Sequence, residues 1–307
     1  MEKYIYVFLH LLLPIIIVFD FIFRRAKNKI SLISRAVLYI SIVYFLYLWG
    51  QWPLVGSYYL RYFMLLIISL LIVLVLLRFR YVKQLKPVGI WSNIKFGLTG
   101  TLIFILIIMN FNAYVGRYNP GNAIQLSFPL RNGIFYIASG GSNKLINNHM
   151  RNYPNAQEFA LDINKLGKYK GVSNKVLSTK NTDHYIFSDT VFCPCNGKIV
   201  EIKNNVKDNT SGSMDVSAKD GTGNFVNIHC KGDFFVFIPH FKQHSILVSE
   251  NMTVNEGTPL GLVGISGFSE EPHLHIQASK YLSDSTIIGI PIVFKGKFLS
   301  RNEIFKN

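Results

Sequence analysis

The stretch FIPHFKQHSILVSENMTVNEGTPLGLVGISGFSEEPHLHIQ, residues 237–277, decides the fold of the C-terminal part of this chain. Its last five residues read as a β-strand because apolar and polar residues alternate. Side chains alternate between the two faces of a strand, so His273 and His275 should share one face while Leu274 and Ile276 enter a core. Two imidazoles then stand about 6–7 Å apart. Imidazole is the commonest biological ligand for zinc, although an exposed strand face is the plain alternative.

Two further stretches carry residue types that suit a metal site on that face. FALDIN, residues 159–164, reads as a strand whose apolar residues face away from Asp162. FIPHF, residues 237–241, is an aromatic strand that ends near His240. On their own, the carboxylate would be solvated and the histidine would be a surface or capping residue. A metal bound between these strands would give both residues a chemical role.

The order of these elements resembles the lysostaphin/LytM-type zinc metallopeptidases, a family of peptidoglycan endopeptidases. In that family a strand-end histidine, a run of the form V-x-x-G-x-x-L-G-x-x-G-x-S/T-G and a terminal H-x-H follow one another as they do here. CPCNGKIVEI, residues 193–202, and GNFVNIHC, residues 223–230, match the two hairpin strands that precede them. The resemblance covers residues 127–280 and implies a mainly-β domain of the lysostaphin/LytM (duplicated hybrid motif) type.

The resemblance also implies roles for single residues. Asp162 and His275 match zinc ligands, and His240 and His273 match the two non-ligand histidines beside the zinc-bound water. Three protein ligands leave zinc an open position, and the metal activates water and polarises the scissile carbonyl. One neutral imidazole can act as general base, and a second can stabilise the oxyanion or protonate the leaving amine. The expected activity is hydrolysis of peptide bonds in peptidoglycan cross-links or another peptide substrate.

The chain departs from the family at the first zinc ligand. The family has the spacing H-x-x-x-D, but the fourth residue before Asp162 is Glu158. His149 stands 13 residues before Asp162 in a polar stretch, and we expect it to replace the missing ligand. Glu158 is the rival, because carboxylates also bind zinc. The departure leaves open a metal-free, inactive domain that binds the cell wall or regulates other wall hydrolases.

Four apolar runs precede this domain: Tyr4–Phe23, Ala36–Gly50, Tyr58–Leu77 and Phe96–Val115. Most of them approach the ~20 residues that cross a bilayer, which predicts an N-terminal all-α transmembrane bundle of about four helices. The second run is short and rich in tyrosine, so it is the weakest of the set. The first run lacks a small-residue cleavage site and is interpreted as a retained helix.

The charges between these runs predict the orientation of the chain. Residues 24–35 and 78–95 each hold five basic residues and no acidic one, whereas residues 51–57 are uncharged. By the positive-inside rule, both basic loops are cytoplasmic and the C-terminal domain lies outside the cytoplasm. The net charge of +15 divides into +10 before residue 116 and +5 from there on. The basic balance therefore follows mostly from membrane topology and does not indicate a nucleic-acid partner.

These patterns predict a multi-pass protein of the cell membrane with three parts. Residues 1–115 form the transmembrane region, residues 116–126 a short polar linker, and residues 127–307 a metallopeptidase-like domain made of short strands and turns. The three cysteines lie in the domain expected outside, where disulfides persist. Cys230 can pair with Cys193 or Cys195, or all three can be free buried thiols.

Other polar residues receive simpler interpretations. His229 matches a family strand position near the site, whereas His184 and His244 lie in polar loops and should be solvated. His10 and Asp20 fall within the first apolar run and should turn away from lipid. They are the only residues that suggest a transporter or sensor in the helices, and we interpret the helices as an anchor.

Overall fold

The computed structural model describes residues 2–83, 90–152, 155–214, 217–282 and 286–307. Residues 84–89, part of the second basic loop, lie outside these ranges. The chain divides into two compact units, and the boundary falls between Tyr114 and Val115. The N-terminal unit is helical and the C-terminal unit is mainly β.

The helices of the N-terminal unit are α1 (Glu2–Val7), α2 (Leu13–Phe23), α3 (Lys29–Trp49), α4 (Arg61–Phe79) and α5 (Ile90–Val115). A π-helical turn, Phe8–Leu12, joins α1 to α2. Within the described residues, four helical stretches are long and apolar enough to cross a membrane: Ile5–Phe23, Lys29–Trp49, Tyr58–Phe79 and Asn93–Val115. The predicted number of apolar helices is therefore confirmed.

Helix α3 begins seven residues earlier than the apolar run that predicted it. Asn28 caps it, because the Asn28 side chain accepts a hydrogen bond from the Ser31 N–H at 2.7 Å. The Asn28 N–H in turn donates to Ser31 Oγ at 3.3 Å, which completes a capping box. The helix reaches 21 residues, so the span with the weakest apolar run is long enough to cross a membrane. Lys29 and Arg35 interrupt the hydropathy without interrupting the helix.

The polar residues of the first apolar run are satisfied inside the N-terminal unit. His10 is buried, donates from Nδ1 to the Tyr6 carbonyl at 2.7 Å and accepts from the Gln51 N–H at Nε2 over 3.1 Å. Asp20 accepts a hydrogen bond from the Tyr39 hydroxyl at 2.5 Å and lies 3.8 Å from an Arg35 nitrogen. These contacts account for both residues as parts of the packing between helices.

The C-terminal unit contains 14 described strands and one short described α-helix, α6 (Asn148–Asn152). The strands are β1 (Ile124–Leu126), β2 (Ile134–Ser139), β3 (Leu161–Leu166), β4 (Thr190–Phe192), β5 (Gly197–Lys203), β6 (Asn224–Cys230), β7 (Phe234–Phe241), β8 (Thr253–Val254), β9 (Pro259–Leu262), β10 (Leu274–Tyr281), β11 (Ile287–Ile290), β12 (Ile292–Phe294), β13 (Lys297–Phe298) and β14 (Ile304–Lys306).

The main sheet has the strand order β14-β2-β3-β10-β7-β6-β5-β8, with β11 also paired to β10. Strand β10 therefore lies between β3 and β7, at the centre of the sheet. Its alternation agrees with the sequence prediction, because Leu274 and Ile276 belong to the hydrophobic core. His275 and Gln277 share the other face and contact each other. Residues 274–279 of β10 are buried on both faces of the strand, so polar side chains there are shielded from water.

Residues 116–126, the expected linker, include residues in regular structure. Strand β1 falls inside that range and pairs in parallel with β12, where Ile124 lies opposite Ile292. Gly116 is also engaged, because its carbonyl accepts a hydrogen bond from the Ser142 N–H at 2.7 Å. The C-terminal unit therefore begins close to the end of α5.

One of the two cysteine pairings left open by the sequence is present. Cys195 and Cys230 form a disulfide that joins the start of β5 to the end of β6, 35 residues apart. Closing a loop of this length lowers the entropy of the unfolded chain, which corresponds to about 4 kcal/mol of stabilisation. Cys193 is a buried free thiol that donates to the Cys195 carbonyl. Burial raises the pKa of that thiol, which keeps it protonated and unreactive.

Candidate functional site

Two strands bring an aspartate and a histidine together at the centre of the sheet. Asp162 on β3 lies directly opposite His275 on β10 in the antiparallel register. Asp162 Oδ1 and His275 Nδ1 are 3.2 Å apart. Within the described part of the chain, both atoms are buried and lack a hydrogen-bond partner. A carboxylate oxygen and the lone pair of a ring nitrogen are both hydrogen-bond acceptors, so they cannot bond to each other. Two unsatisfied lone pairs therefore face the same point.

His149 completes this group from a separate element. Helix α6 carries it, and its Nε2 lies 2.8 Å from Asp162 Oδ2. The His149 and His275 rings are 4.4 Å apart and nearly perpendicular, at 86°. One nitrogen or oxygen from each of His149, Asp162 and His275 lies within 4.8 Å of the others. The structure therefore brings together the three residues that the sequence analysis named as ligands.

Glu158, the rival ligand, is absent from this group. It is also absent from the second group of potential metal ligands among the described residues, which contains His240, His273 and His275. Its backbone N–H donates to the Asn155 carbonyl, and its own carbonyl accepts from the Asn147 side chain at 3.1 Å. Residues 155–160 form a turn before β3 begins at Leu161. The residue at the usual family position thus serves the turn through its backbone.

The donor set suits a divalent metal, and zinc in particular. Two imidazole nitrogens and a carboxylate oxygen are a recognised three-ligand set for catalytic zinc, which leaves a further position open. His275 is held in the tautomer that such binding needs, because its Nε2 donates to Gln277 Oε1 at 3.0 Å. The ring lone pair on Nδ1 then faces Asp162. A cation between these atoms would satisfy groups that are otherwise buried without a partner.

The electrostatics of the group follow from its burial and its neighbours. Burial alone would raise the pKa of Asp162, but His149 and His273 outweigh it and hold that pKa well below its ordinary value. Burial, followed by the charge of His149, lowers the pKa of His275. An ionised carboxylate beside a neutral imidazole is the protonation state in which both groups bind metal.

A β-bulge aims His240 at the same place. Between the pairs Asn224–Phe241 and Val226–Ile238, strand β7 has one residue more than β6. His240 lies in the bulge with φ +66°, a left-handed conformation that costs a non-glycine residue about 1–3 kcal/mol. This conformation directs the His240 side chain toward the site, where the centre of its ring lies 5.3 Å from that of His273 and 6.0 Å from that of His275.

Gly264 makes room for this bulge. A Cβ at Gly264 would lie 2.2 Å from the Lys242 backbone nitrogen, which no side chain tolerates. The Gly264 N–H donates to the His240 carbonyl at 3.1 Å and fixes the bulged backbone. The glycine run seen in the sequence therefore allows a close approach of two backbones beside His240.

His240 and His273 each use one ring nitrogen to hold their orientation. His240 Nδ1 donates to the Ser266 carbonyl at 2.7 Å, and His273 Nδ1 donates to the Glu271 carbonyl at 2.8 Å. Nε2 of each ring is thereby left for other partners, and His273 Nε2 lies 3.4 Å from Asp162 Oδ1. Burial lowers the pKa of His240 well below its ordinary value, with a further contribution from His273. Burial opposes protonation of His273, but Asp162 outweighs it and raises that pKa.

The other histidines of this unit lie apart from the site. His229 contacts Asp233 and stacks on Phe235, and it belongs to neither described group of potential ligands. His244 is exposed, as expected. His184 is not solvated, contrary to the prediction, since it is 4% exposed and its Nε2 lies 3.0 Å from Ser211 Oγ. The loop around it folds onto the domain, which the local sequence does not indicate.

The family match covers the second half of this site. Residues 185–286 match the model of peptidase family M23. The match confirms the resemblance drawn from the H-x-H and glycine-run motifs, and it includes His240, His273 and His275. Asp162 and His149 lie before its first residue. With the helical N-terminal unit and the β sheet, the predicted fold class is confirmed.

Several solved structures are similar to this chain. The catalytic domain of lysostaphin from Staphylococcus simulans shares 23% identity at a TM-score of 0.25, over 36% of this chain and 80% of that one. A catalytic domain of a prophage-encoded M23 protein from Enterococcus faecalis shares 14% at 0.30, over 50% and 87%. A zinc-containing peptidase from Vibrio cholerae shares 15% at 0.30, over 60% and 41%. A search of curated proteins found no match.

Proposed function

We propose that this protein is a membrane-anchored zinc metalloendopeptidase with His149, Asp162 and His275 as the metal ligands. One observation carries the proposal: Asp162 Oδ1 and His275 Nδ1 face each other at 3.2 Å, buried and without hydrogen-bond partners among the described residues. His149 adds a third donor within 4.8 Å. The match of residues 185–286 to peptidase family M23 supports a peptidase.

Two histidines beside the ligands supply the proton transfers. Bound zinc would polarise the scissile carbonyl and lower the pKa of a water in its open position. His240, with Nδ1 committed to the Ser266 carbonyl, keeps Nε2 to accept a proton. The Glu271 carbonyl holds the His273 ring in the same way, by accepting from Nδ1. The His273 Nε2 lies 3.4 Å from Asp162 Oδ1. Between them, these rings can serve as the base, stabilise the developing oxyanion and return a proton to the leaving amine.

We propose peptide cross-links of peptidoglycan as the substrate, because the family resemblance implies it and the predicted topology agrees. The two basic loops are assigned to the cytoplasm, which leaves the C-terminal unit outside the cell membrane, where the wall lies.

A cysteine introduced at Lys27 should resist a membrane-impermeant maleimide in intact cells, whereas a cysteine introduced at Ser57 should react. The reverse labelling pattern would contradict the topology.

Metal removal tests the enzymatic proposal directly. Dialysis of the detergent-solubilised full chain against a chelator should abolish hydrolysis of purified peptidoglycan, and about one equivalent of zinc should restore it. Metal content before and after dialysis gives the stoichiometry.

Glu158 at the usual ligand position favours the alternative of a metal-free wall-binding or regulatory module. A chain that binds peptidoglycan, holds no zinc and does not respond to added zinc would establish that alternative.

A further inference from the structure

His149 is attached to the rest of the site in an unusual way. It lies on a helix of only five residues, Asn148–Asn152, and stands 13 positions before Asp162. A helix this short has no appreciable stability by itself. Strand pairing fixes Asp162 and His275 against each other, but no strand includes His149. Tertiary contacts must therefore hold α6 where its histidine meets the carboxylate.

Asn147 provides the first of these contacts. The side chain is fully buried, and its Oδ1 accepts from the His149 N–H at 3.0 Å, as an N-terminal helix cap does. Its Nδ2 reaches three carbonyls, those of Gly141 at 3.0 Å, Glu158 at 3.1 Å and Ala160 at 3.2 Å. One amide therefore joins the start of α6 to the turn that leads into Asp162. The acceptor and donor sides of the amide are both used, which a carboxylate or an apolar side chain at this position could not reproduce.

Arg301 provides the second contact from the far end of the chain. The side chain is 1% exposed, with Nε donating to the Ile146 carbonyl at 2.8 Å and Nη2 donating to Asn148 Oδ1 at 3.0 Å. Its backbone N–H donates to the Gly140 carbonyl. The guanidinium thus binds Ile146 and Asn148, the residues on both sides of Asn147, through two donors in a fixed geometry. A lysine cannot reproduce this geometry.

An irregularity in strand β2 brings its end into contact with α6. The register between β2 and β3 shifts between Ile137 and Ser139, and Ser139 is brought opposite Asp162. Ser139 Oγ then accepts the Asn148 N–H at 3.0 Å. The Ser139 hydroxyl, the Asn147 amide and the Arg301 guanidinium all act within residues 146–149, so the position of the His149 ring is set from outside its own helix.

We propose that Asn147 and Arg301 are positioning residues that hold His149 at the metal site and so take the place of the short H-x-x-x-D spacing. This inference rests on the proposed function, since it assigns a role toward the proposed metal. The contacts described above for both side chains are with backbone groups and with the Asn148 side chain, and none of them involves a ligand atom. Loss of such supporting contacts around a metal ligand typically lowers metal affinity about 10- to 100-fold.

A double-mutant cycle tests the proposal. In the detergent-solubilised full chain, zinc affinity is measured by competition with a chromophoric chelator for the wild type, Arg301→Lys, His149→Ala and the double variant. We expect Arg301→Lys to weaken zinc binding about 10- to 100-fold in the wild-type background and to have no further effect once His149 is gone. The absorption spectrum of bound Co²⁺ in Arg301→Lys should shift toward that of His149→Ala, which a general loss of stability would not produce.

Matched variants keep the result interpretable. Arg131→Lys is the control, because Arg131 stacks on Phe192 and lies near the Gly257 carbonyl, away from α6. It should leave zinc affinity unchanged. Asn148→Ala removes one acceptor of Arg301 while leaving the arginine in place, and it should weaken zinc binding in the same direction if Arg301→Lys does not fold.

Two results would overturn the inference. Unchanged zinc affinity in both Arg301→Lys and Asn148→Ala would show that these contacts do not position His149. An equal loss in the wild-type and His149→Ala backgrounds would assign Arg301 a general structural role. A wild-type chain that binds no zinc at all would instead refute the proposed function, so the two failures are distinguishable.

Discussion

Replacing His149 with alanine is expected to remove tightly bound zinc from the protein and to lower peptide hydrolysis about 1000-fold. The physical reason is the donor count, because Asp162 and His275 alone would leave zinc with two protein ligands instead of the three of a catalytic site. A catalytic metal contributes several kcal/mol to the transition state, and each 1.4 kcal/mol corresponds to a factor of ten. Zinc content by atomic absorption and hydrolysis of purified peptidoglycan measure the two effects separately.

Glu158→Gln is the matched control for this variant. Both residues are candidates for the same ligand position, and both precede Asp162 on the chain. The contacts of Glu158 described above are made by its backbone, which the substitution leaves intact. Zinc content and hydrolysis should therefore stay at the wild-type level. If Glu158→Gln lost the metal and His149→Ala kept it, the ligand assignment would have to be exchanged.

The fold could largely be predicted because it depends on local pattern. Charge-free apolar runs such as FMLLIISLLIVLVLL predict membrane-crossing helices by composition alone. The alternation in HLHIQ predicts which side chains of β10 enter the core, since the period of a strand is two residues. Where a cap decided the boundary, hydropathy was misleading, as at Asn28 before α3. The disulfide partner of Cys230 could not be predicted, because Cys193 and Cys195 are only two residues apart and lie at nearly the same sequence distance from Cys230.

The candidate site could be predicted in its members but not in its support. Asp162, His240, His273 and His275 stand in motifs whose order is informative, and His149 was the histidine upstream of Asp162 in a polar stretch. Nothing in the sequence near His149 points to Arg301, which is 152 residues further along the chain. Asn147 reads as an ordinary loop asparagine until its three carbonyl partners are seen. Burial of His184 against Ser211 likewise depends on how distant loops meet.

Replacing His273 with alanine is expected to lower kcat about 100- to 10,000-fold while zinc remains bound. This outcome separates a group that transfers protons from a group that binds metal, because general acid–base catalysis contributes an effect of this size. His273 is absent from the group formed by His149, Asp162 and His275, although its Nε2 lies 3.4 Å from Asp162 Oδ1. Its removal should therefore leave all three ligands in place. Zinc content and kcat, measured on the same preparation, check both halves of the prediction.

His229→Ala is the control for His273→Ala, because it removes a half-buried histidine that contacts Asp233 and Phe235 instead of the site. Both its zinc content and its kcat should equal those of the wild type. Loss of zinc from His273→Ala would mean that His273 is itself a ligand, in the alternative group with His240 and His275. Full activity with zinc retained would leave His240 as the one remaining proton-transfer group. In that case the bulge that holds His240 at φ +66° would be the feature on which catalysis depends.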